Sequence, residues 1–243
     1  MLFKKFTAAA AATLTMAGTW CACAAEDPPP PPKKLLGVEE DHVVLVENPD
    51  AKIAAPQIVV MCEPDTTTGG EYALFTLNHA TEPSFFAGGV QLQTYQGEVL
   101  TGMRNSPKTQ VLSHGYDRIK FTTTMKLTGD GHIEFGLKGG SSRTWGNFGN
   151  DKDQPIAVRV KTNHTDLSNY DRNHTLKNTV VSHGAHRVTI MYQRRVRYYW
   201  SDGSTTVDGA YKILHRFQSV IQDMTLEQWE QSKTEYNYED VNE

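Results

Sequence analysis

Residues 183–203, which read HGAHRVTIMYQRRVRYYWSDG, decide the fold. Two sets of side chains alternate from Val188 to Gln193, and the alternation starts again at Val196 after the pair Arg194-Arg195. A period of two places successive side chains on opposite faces of a strand. We therefore predict a β-hairpin whose strands meet at Arg194-Arg195, followed by a second turn at residues 201–203.

Short apolar, β-branched runs recur on either side of this hairpin, separated by glycine-rich turns. They cover residues 42–47, 57–62, 72–77, 90–95, 119–127, 132–138, 156–161 and 211–217. Two of them flank Gly-Asp-Gly at 129–131 and predict a second hairpin. Because helical periodicity is almost absent, we predict an all-β domain over residues 42–222, an antiparallel β-sandwich of jelly-roll type.

The chain is predicted to finish with a short C-terminal helix and an acidic tail over residues 223–243. Thr225-Leu-Glu-Gln228 has the spacing of a capping box, in which the first and fourth side chains satisfy free backbone amides. The basic residues between positions 186 and 217 could face an anionic ligand, attract this acidic tail, or simply be solvated.

The N-terminus has the organisation of a secretory signal. Lys4 and Lys5 precede an apolar, alanine-rich run at 6–17, and small residues at 22–25 offer a cleavage site. The run is too short for a permanent membrane span. We predict a signal peptide over 1–25, no transmembrane segment, and a periplasmic, secreted or cell-surface protein. A lipid anchor at Cys21 or Cys23 is the alternative, but the residues before these cysteines match lipoprotein sites poorly.

Residues 26–41 are predicted to be a proline-rich linker. Five consecutive prolines, Pro28–Pro32, favour a stiff polyproline II spacer that would set the domain off from a neighbour or a surface. A disordered, untethered N-terminus is an equal alternative. With a net charge of −4 and an exported destination, the chain is not expected to bind nucleic acid.

The hairpin resembles that of concanavalin A-like, laminin G-type jelly-roll domains over about residues 183–230. The matching positions are His186, Val188, Ile190, Val196, Arg197, Tyr198, Asp202 and Gly203. Ser201 is inserted before the Asp-Gly turn, and the strands before residue 120 do not align. The resemblance implies the sandwich fold and carries no ligand.

Metal chemistry has two candidates in the sequence. His183 and His186 lie three apart, so on a strand their side chains point to opposite faces, and we interpret His186 as a strand-opening residue. Asp151 and Asp153 could supply oxygen ligands to calcium, but Lys152 opposes a cation. We prefer a plain Asx-rich loop and no cofactor, with calcium as the alternative.

Catalytic motifs are missing from the sequence. Sandwich glycosidases carry paired carboxylates close together on one strand, and neither that pattern, a G-x-S-x-G elbow nor H-E-x-x-H occurs. We therefore expect a protein that is not an enzyme. A polysaccharide-active hydrolase or lyase is kept as the third hypothesis.

Aromatic residues beside arginine and asparagine give the functional prediction. Such residues bind sugars by stacking on the ring and hydrogen-bonding its hydroxyls. The predicted ligand-binding residues are Trp145, Phe148, Tyr170, Tyr199 and Arg197, with the glycine-rich loop around Trp145 as the centre. The first hypothesis is an exported, non-catalytic module that binds carbohydrate through loop aromatics. The second is a structural or protein-interaction module at the cell surface.

Overall fold

The computed structural model describes residues 32–47, 56–67, 69–78, 89–106, 108, 110–112, 116–149 and 156–216. Contacts divide the chain into Met1–Pro32 and Lys33–Glu243, and the fold below is that of the second unit. The predicted signal peptide, prolines 28–31, the candidate calcium loop and the C-terminal helix lie outside the described residues.

Two antiparallel sheets make up the fold, as the all-β prediction requires. The larger sheet has the strand order β12-β11-β1-β6-β7-β8, with β13 paired to β11 and β9 paired to β7. Its strands are β1 (Leu35–Val46), β6 (Asp117–Leu127), β7 (His132–Ser142), β8 (Gly146–Phe148), β9 (Ala157–Lys161), β11 (Val188–Trp200), β12 (Thr205–Asp208) and β13 (Lys212–Arg216).

The smaller sheet has the order β10-β2-β3-β4-β5. Its strands are β2 (Gln57–Cys62), β3 (Glu71–Leu77), β4 (Val90–Gln96), β5 (Val99–Asn105) and β10 (Val180–His183). The helical residues in the described part of the chain are α1 (Arg172–Lys177) and a single 3-10 turn, Ala185–Arg187. No helix there is long and apolar enough to cross a membrane.

The prediction of a hairpin at Arg194-Arg195 is wrong, because β11 runs without interruption through both arginines. Asp41 of β1 pairs with Arg195 and His42 pairs with Gln193, so Arg194 is an extra residue opposite the partner strand. An extra residue of this kind is a β-bulge, which inverts the alternation of the side chains that follow. The hairpin lies at the next turn, residues 201–204, where β11 returns as β12.

Because of the bulge, inward side chains from both halves of β11 face the same core. Gln193 before the bulge and Val196 after it are both buried. Buried apolar residues from the two sheets belong to a single core cluster, with Val44 and Phe121 from the larger sheet and Val60 and Phe75 from the smaller. The outward residues of β1 next to Val44 form a second, smaller buried cluster with β11: Val43, Leu45, Ile190 and Tyr192.

The other predicted strands are present in the structure, whereas β5, β8, β10 and β12 lie outside the predicted runs. The second hairpin is confirmed, since β6 pairs with β7 across the Gly-Asp-Gly turn. β1 begins at Leu35, so the last part of the predicted linker is a central strand of the larger sheet. Helix α1 was not predicted; Asp171 caps it by accepting from the Asn173 amide at 2.8 Å.

Buried Arg172 attaches α1 to the edge of the larger sheet. Its guanidinium donates to Gln193 Oε1, to Asp208 Oδ2 at 2.6 Å and to the Ala210 carbonyl at 2.6 Å. A buried guanidinium needs such acceptors, because an unpaired charge in the interior is costly. The short helix is therefore held by the fold rather than by its own propensity.

Candidate functional site

The outer face of the larger sheet carries a cavity of about 350 Å³, which we call the Tyr199 groove. Its walls come from β11, β1, β6 and β7, which are neighbours in the sheet. Its lining residues include Tyr199, Gly37, Glu39, Lys126, Glu134 and Lys138.

Strand register explains why the groove exists. Tyr199, Gly37, Lys126 and Glu134 lie side by side in one row across the four strands. Gly37 has no side chain, so the row has a gap beside the tyrosine ring. A Cβ built at Gly37 would lie 3.6 Å from the Tyr199 side chain and 3.5 Å from the Met125 carbonyl oxygen, which is ordinary contact. Gly37 is itself buried, and its backbone lines the floor of the groove beside the Tyr199 ring.

Hydrogen bonds fix the position of the tyrosine ring. The Tyr199 hydroxyl donates to Glu39 Oε2 at 2.8 Å, and the same oxygen accepts from Arg197 Nε at 2.9 Å. Lys138 pairs with the other oxygen of Glu39. Because the carboxylate is held from three sides, the ring that it anchors loses little further freedom when a ligand binds.

Arg197 is an organising residue rather than a free ligand contact. Its two terminal nitrogens donate to Asp41 at 2.9 and 2.8 Å, while Nε donates to Glu39. Arg195 pairs with the same Asp41. The basic charge that the sequence places on this strand is thus offset by two carboxylates of β1, and this part of the strand offers no open anion site.

The titration of these groups agrees with that pairing. Burial raises the pKa of Glu39, but hydrogen bonds from Lys138, Tyr199 and Arg197 outweigh it and hold the pKa below its usual range. Burial lowers the pKa of Arg197, and its bonds to Asp41 and Glu39 raise it more strongly. Burial raises the pKa of the Tyr199 phenol, and the bond to Glu39 adds to this. At neutral pH the carboxylate is charged and the phenol is a hydrogen-bond donor.

The loop around Trp145, which the sequence suggested as the centre of a binding site, belongs to the core. Trp145 is 3% exposed and Phe148 is 1% exposed, and their rings meet edge to face at 5.6 Å. The indole nitrogen of Trp145 donates to the Gln110 carbonyl at 2.7 Å. The Phe148 ring occupies the place of the missing side chain of Gly140, where a Cβ would lie 2.4 Å from it. A binding role for these two side chains is therefore not supported by their positions.

Tyr170 also lies away from the groove. Its hydroxyl donates to Glu40, on the interior face of β1, and its ring meets Tyr198 edge to face at 6.1 Å. Of the five residues predicted to bind ligand, the structure brings together Tyr199 and Arg197. The sequence analysis missed Gly37, which fell in the predicted linker, and it missed Lys126 and Glu134, which lie on predicted strands without any motif.

Glu40 forms the centre of an interior polar cluster that joins the two sheets. It accepts from Thr123 Oγ1 at 3.1 Å, from Tyr170, and from Cys62 of the smaller sheet at 3.6 Å, and it lies 3.3 Å from His42 Nε2. Burial and the charge of Glu40 raise the pKa of the Cys62 thiol well above its usual range. A thiol with a raised pKa stays protonated at neutral pH and is a poor nucleophile, and the hydrogen bonds of the cluster link the two sheets.

The interior polar cluster around Glu40 is expected to make the stability of the fold sensitive to acid. Burial raises the pKa of Glu40, but the donated hydrogen bonds and the nearby His42 lower it more, so the folded-state pKa lies below the usual value of 4.5. A depressed carboxyl pKa stabilises the fold above the unfolded-state pKa, and this stabilisation is lost as the pH falls through the folded-state pKa. We expect the free energy of unfolding, measured with urea, to fall as the pH drops below about 4.5. A Glu40→Gln variant should show a weaker decline; an equal decline in both proteins would contradict this origin.

Within the described residues, no group of three or more histidine, cysteine, aspartate or glutamate side chains is arranged to hold a metal ion. The loop with Asp151 and Asp153 lies outside them, so the calcium alternative stays a prediction. The Tyr199 groove remains as the candidate site, with an aromatic wall, a glycine at its floor and polar groups at its far side. No family model and no curated protein matches the chain.

Proposed function

We propose that this protein is an exported, non-catalytic module that binds a neutral carbohydrate in the Tyr199 groove. In this proposal the two sheets form a sandwich of jelly-roll type, and the groove lies on the outer face of one of them. The observation that carries it is the row Tyr199–Gly37–Lys126–Glu134, in which an aromatic ring lies beside a glycine and a pair of oppositely charged side chains.

The chemistry of the groove suits a sugar ring. The face of Tyr199 offers an apolar surface for the C–H side of a pyranose, and aromatic side chains supply large contact area at low entropic cost. Lys126 and Glu134, opposite each other in the register, offer a donor and an acceptor for hydroxyl groups. Lys126 and Lys138 are balanced in charge by Glu39 and Glu134, which favours an uncharged ligand.

Glycoside hydrolysis is disfavoured by the state of Glu39. A hydrolase needs one carboxyl group with a raised pKa to protonate the leaving oxygen. The pKa of Glu39 is instead lowered, and its oxygens are occupied by Lys138, Tyr199 and Arg197. Such a carboxylate positions neighbours and does not deliver a proton, which supports binding without turnover.

The test is binding of neutral oligosaccharides to an array, followed by calorimetry on the strongest ligand. Replacing Tyr199 with alanine removes the aromatic wall and should weaken binding about tenfold or more, roughly 1.4 kcal/mol. Tyr199→Phe keeps the ring and should bind within about threefold of the wild type, roughly 0.6 kcal/mol. Tyr211→Ala is the matched control, because Tyr211 is 40% exposed and lies outside the groove.

A second variant tests the role of the floor of the Tyr199 groove. Gly37→Ala adds a methyl group that the backbone accommodates without a clash, so the fold should be kept while the groove becomes narrower. Weaker binding with unchanged stability is the expected result. Absence of binding to every glycan, or unchanged affinity in Tyr199→Ala, would contradict the proposed function.

A further inference from the structure

The outer face of the smaller sheet is unusual because its described side chains carry no charge. Residues that alternate with the buried core positions form three rows across the strands. They are Val180, Val59, Thr76, Gln91 and Asn105 in the first row, Met61, Leu74, Gln93 and Met103 in the second, and Tyr72, Tyr95 and Leu100 in the third. We call this set the uncharged face.

The uncharged face continues to the edge strand β5. On this face Leu100 and Met103 are each 49% exposed, whereas Val99, 67% exposed, pairs with Gln96 and lies on the other side of the strand. Within the described residues, β4 is the sole strand that pairs with β5. Natural edge strands are usually protected by lysine, by proline or by a covering segment. β5 contains neither lysine nor proline, and in the described part of the chain no strand pairs with its outer edge.

We propose that two copies of this chain associate through β5, strand against antiparallel strand about a twofold axis. The pairing would join two five-stranded sheets into one and cover Leu100 and Met103 of both copies. An antiparallel pair of identical strands is compatible with a twofold axis, and the same surface then serves on each side.

Charge complementarity is the reason for choosing a second copy as the occupant. Arg104, near one end of β5, is the sole charged residue of the strand, and Glu98 immediately precedes its other end. Both residues are exposed. Antiparallel pairing places the Arg104 end of each strand beside the Glu98 end of its partner, so two opposite-charge pairs form. Opposite charges across strands are favourable and like charges are not.

This proposal is independent of the Tyr199 groove, which lies on the other sheet, and sedimentation equilibrium over a range of protein concentrations tests it. The wild-type protein is expected to shift from monomer to dimer as its concentration increases. Arg104→Glu and Glu98→Arg should each raise the dimer dissociation constant about tenfold or more, since each variant opposes like charges at both ends. The double variant carrying both changes restores opposite pairs and should dimerise as wild type does.

Two further variants distinguish specific pairing at the β5 edge from non-specific hydrophobic association. Leu100→Lys should abolish the dimer, whereas Val207→Lys, at a residue 58% exposed on β12 of the other sheet, should leave it intact. Hydrogen exchange of β5 amides should slow with rising concentration in wild type and not in Leu100→Lys. A monomer at all concentrations, failure of the double variant to restore dimerisation, or equal dissociation by Val207→Lys would overturn the proposal. Pairing of β5 with an added extended peptide in place of a second copy would overturn it as well.

Discussion

Replacing Glu40 with alanine is expected to destabilise the protein by about 3–5 kcal/mol, because it removes one partner of a buried charged network. The His42, Tyr170 and Thr123 donors would lose the oxygen atoms that they now contact in the interior. The free energy of unfolding, measured by urea denaturation at pH 7, checks the value.

Two comparisons make the Glu40 result specific. Glu40→Gln keeps the shape and one acceptor oxygen, so it should cost less than Glu40→Ala. Lys161→Ala, at an exposed charged side chain, should change stability by less than about 0.5 kcal/mol. A loss below about 1 kcal/mol in Glu40→Ala would mean that the cluster does not tie the sheets together as described.

The second large effect is expected at Trp145, where alanine should cost about 3–5 kcal/mol. The side chain is 3% exposed, packs edge to face against Phe148 and donates to the Gln110 carbonyl. Removing it leaves a cavity and an acceptor without its donor. Trp200→Ala is the matched control, because Trp200 is half-buried at the end of β11 and should cost less.

Thermal and urea unfolding of both tryptophan variants measure these costs. If Trp145→Ala were as stable as the wild type and lost carbohydrate binding, the ring would be a ligand contact and its assignment to the core would be wrong. Trp200→Ala should retain binding in the Tyr199 groove.

Most strands could be predicted from sequence because alternation is a local property, but β5 and the short strands β8, β10 and β12 were not predicted. The error at Arg194-Arg195 shows the limit of that signal: a tight turn and a bulge both interrupt the alternation. The distinction lies in residue type, since two-residue hairpin turns favour glycine, asparagine or aspartate and two arginines do not supply the positive φ that they need. A closer weighting of turn chemistry would have favoured a bulge.

The burial of Trp145 depends on contacts that no short window of sequence shows. Its loop is rich in glycine, which is typical of exposed turns, and here Gly140 instead provides the space into which the Phe148 ring fits. The Gln110 carbonyl that accepts from the indole comes from a distant part of the chain. Composition alone therefore predicted an exposed aromatic loop.

The sequence predicted some residues of the candidate site and missed the others for the same reason. Tyr199 and Arg197 lie on the strand that the sequence singled out. Gly37, Lys126 and Glu134 come from three other strands, and it is the register between strands that places them in one row. Register depends on bulges such as that at Arg194, so the groove could not be assembled before the sheet was known.

The most direct test of the central claim is to map ligand contacts by NMR while titrating the folded, isotope-labelled protein with a neutral oligosaccharide. We predict saturable amide and side-chain shifts concentrated at Tyr199, Gly37, Lys126 and Glu134, with no comparable change at Trp145. Shifts concentrated around Trp145 and Phe148, or no saturable shift with any neutral oligosaccharide that binds on the array, would contradict the assignment of the Tyr199 groove as the binding site.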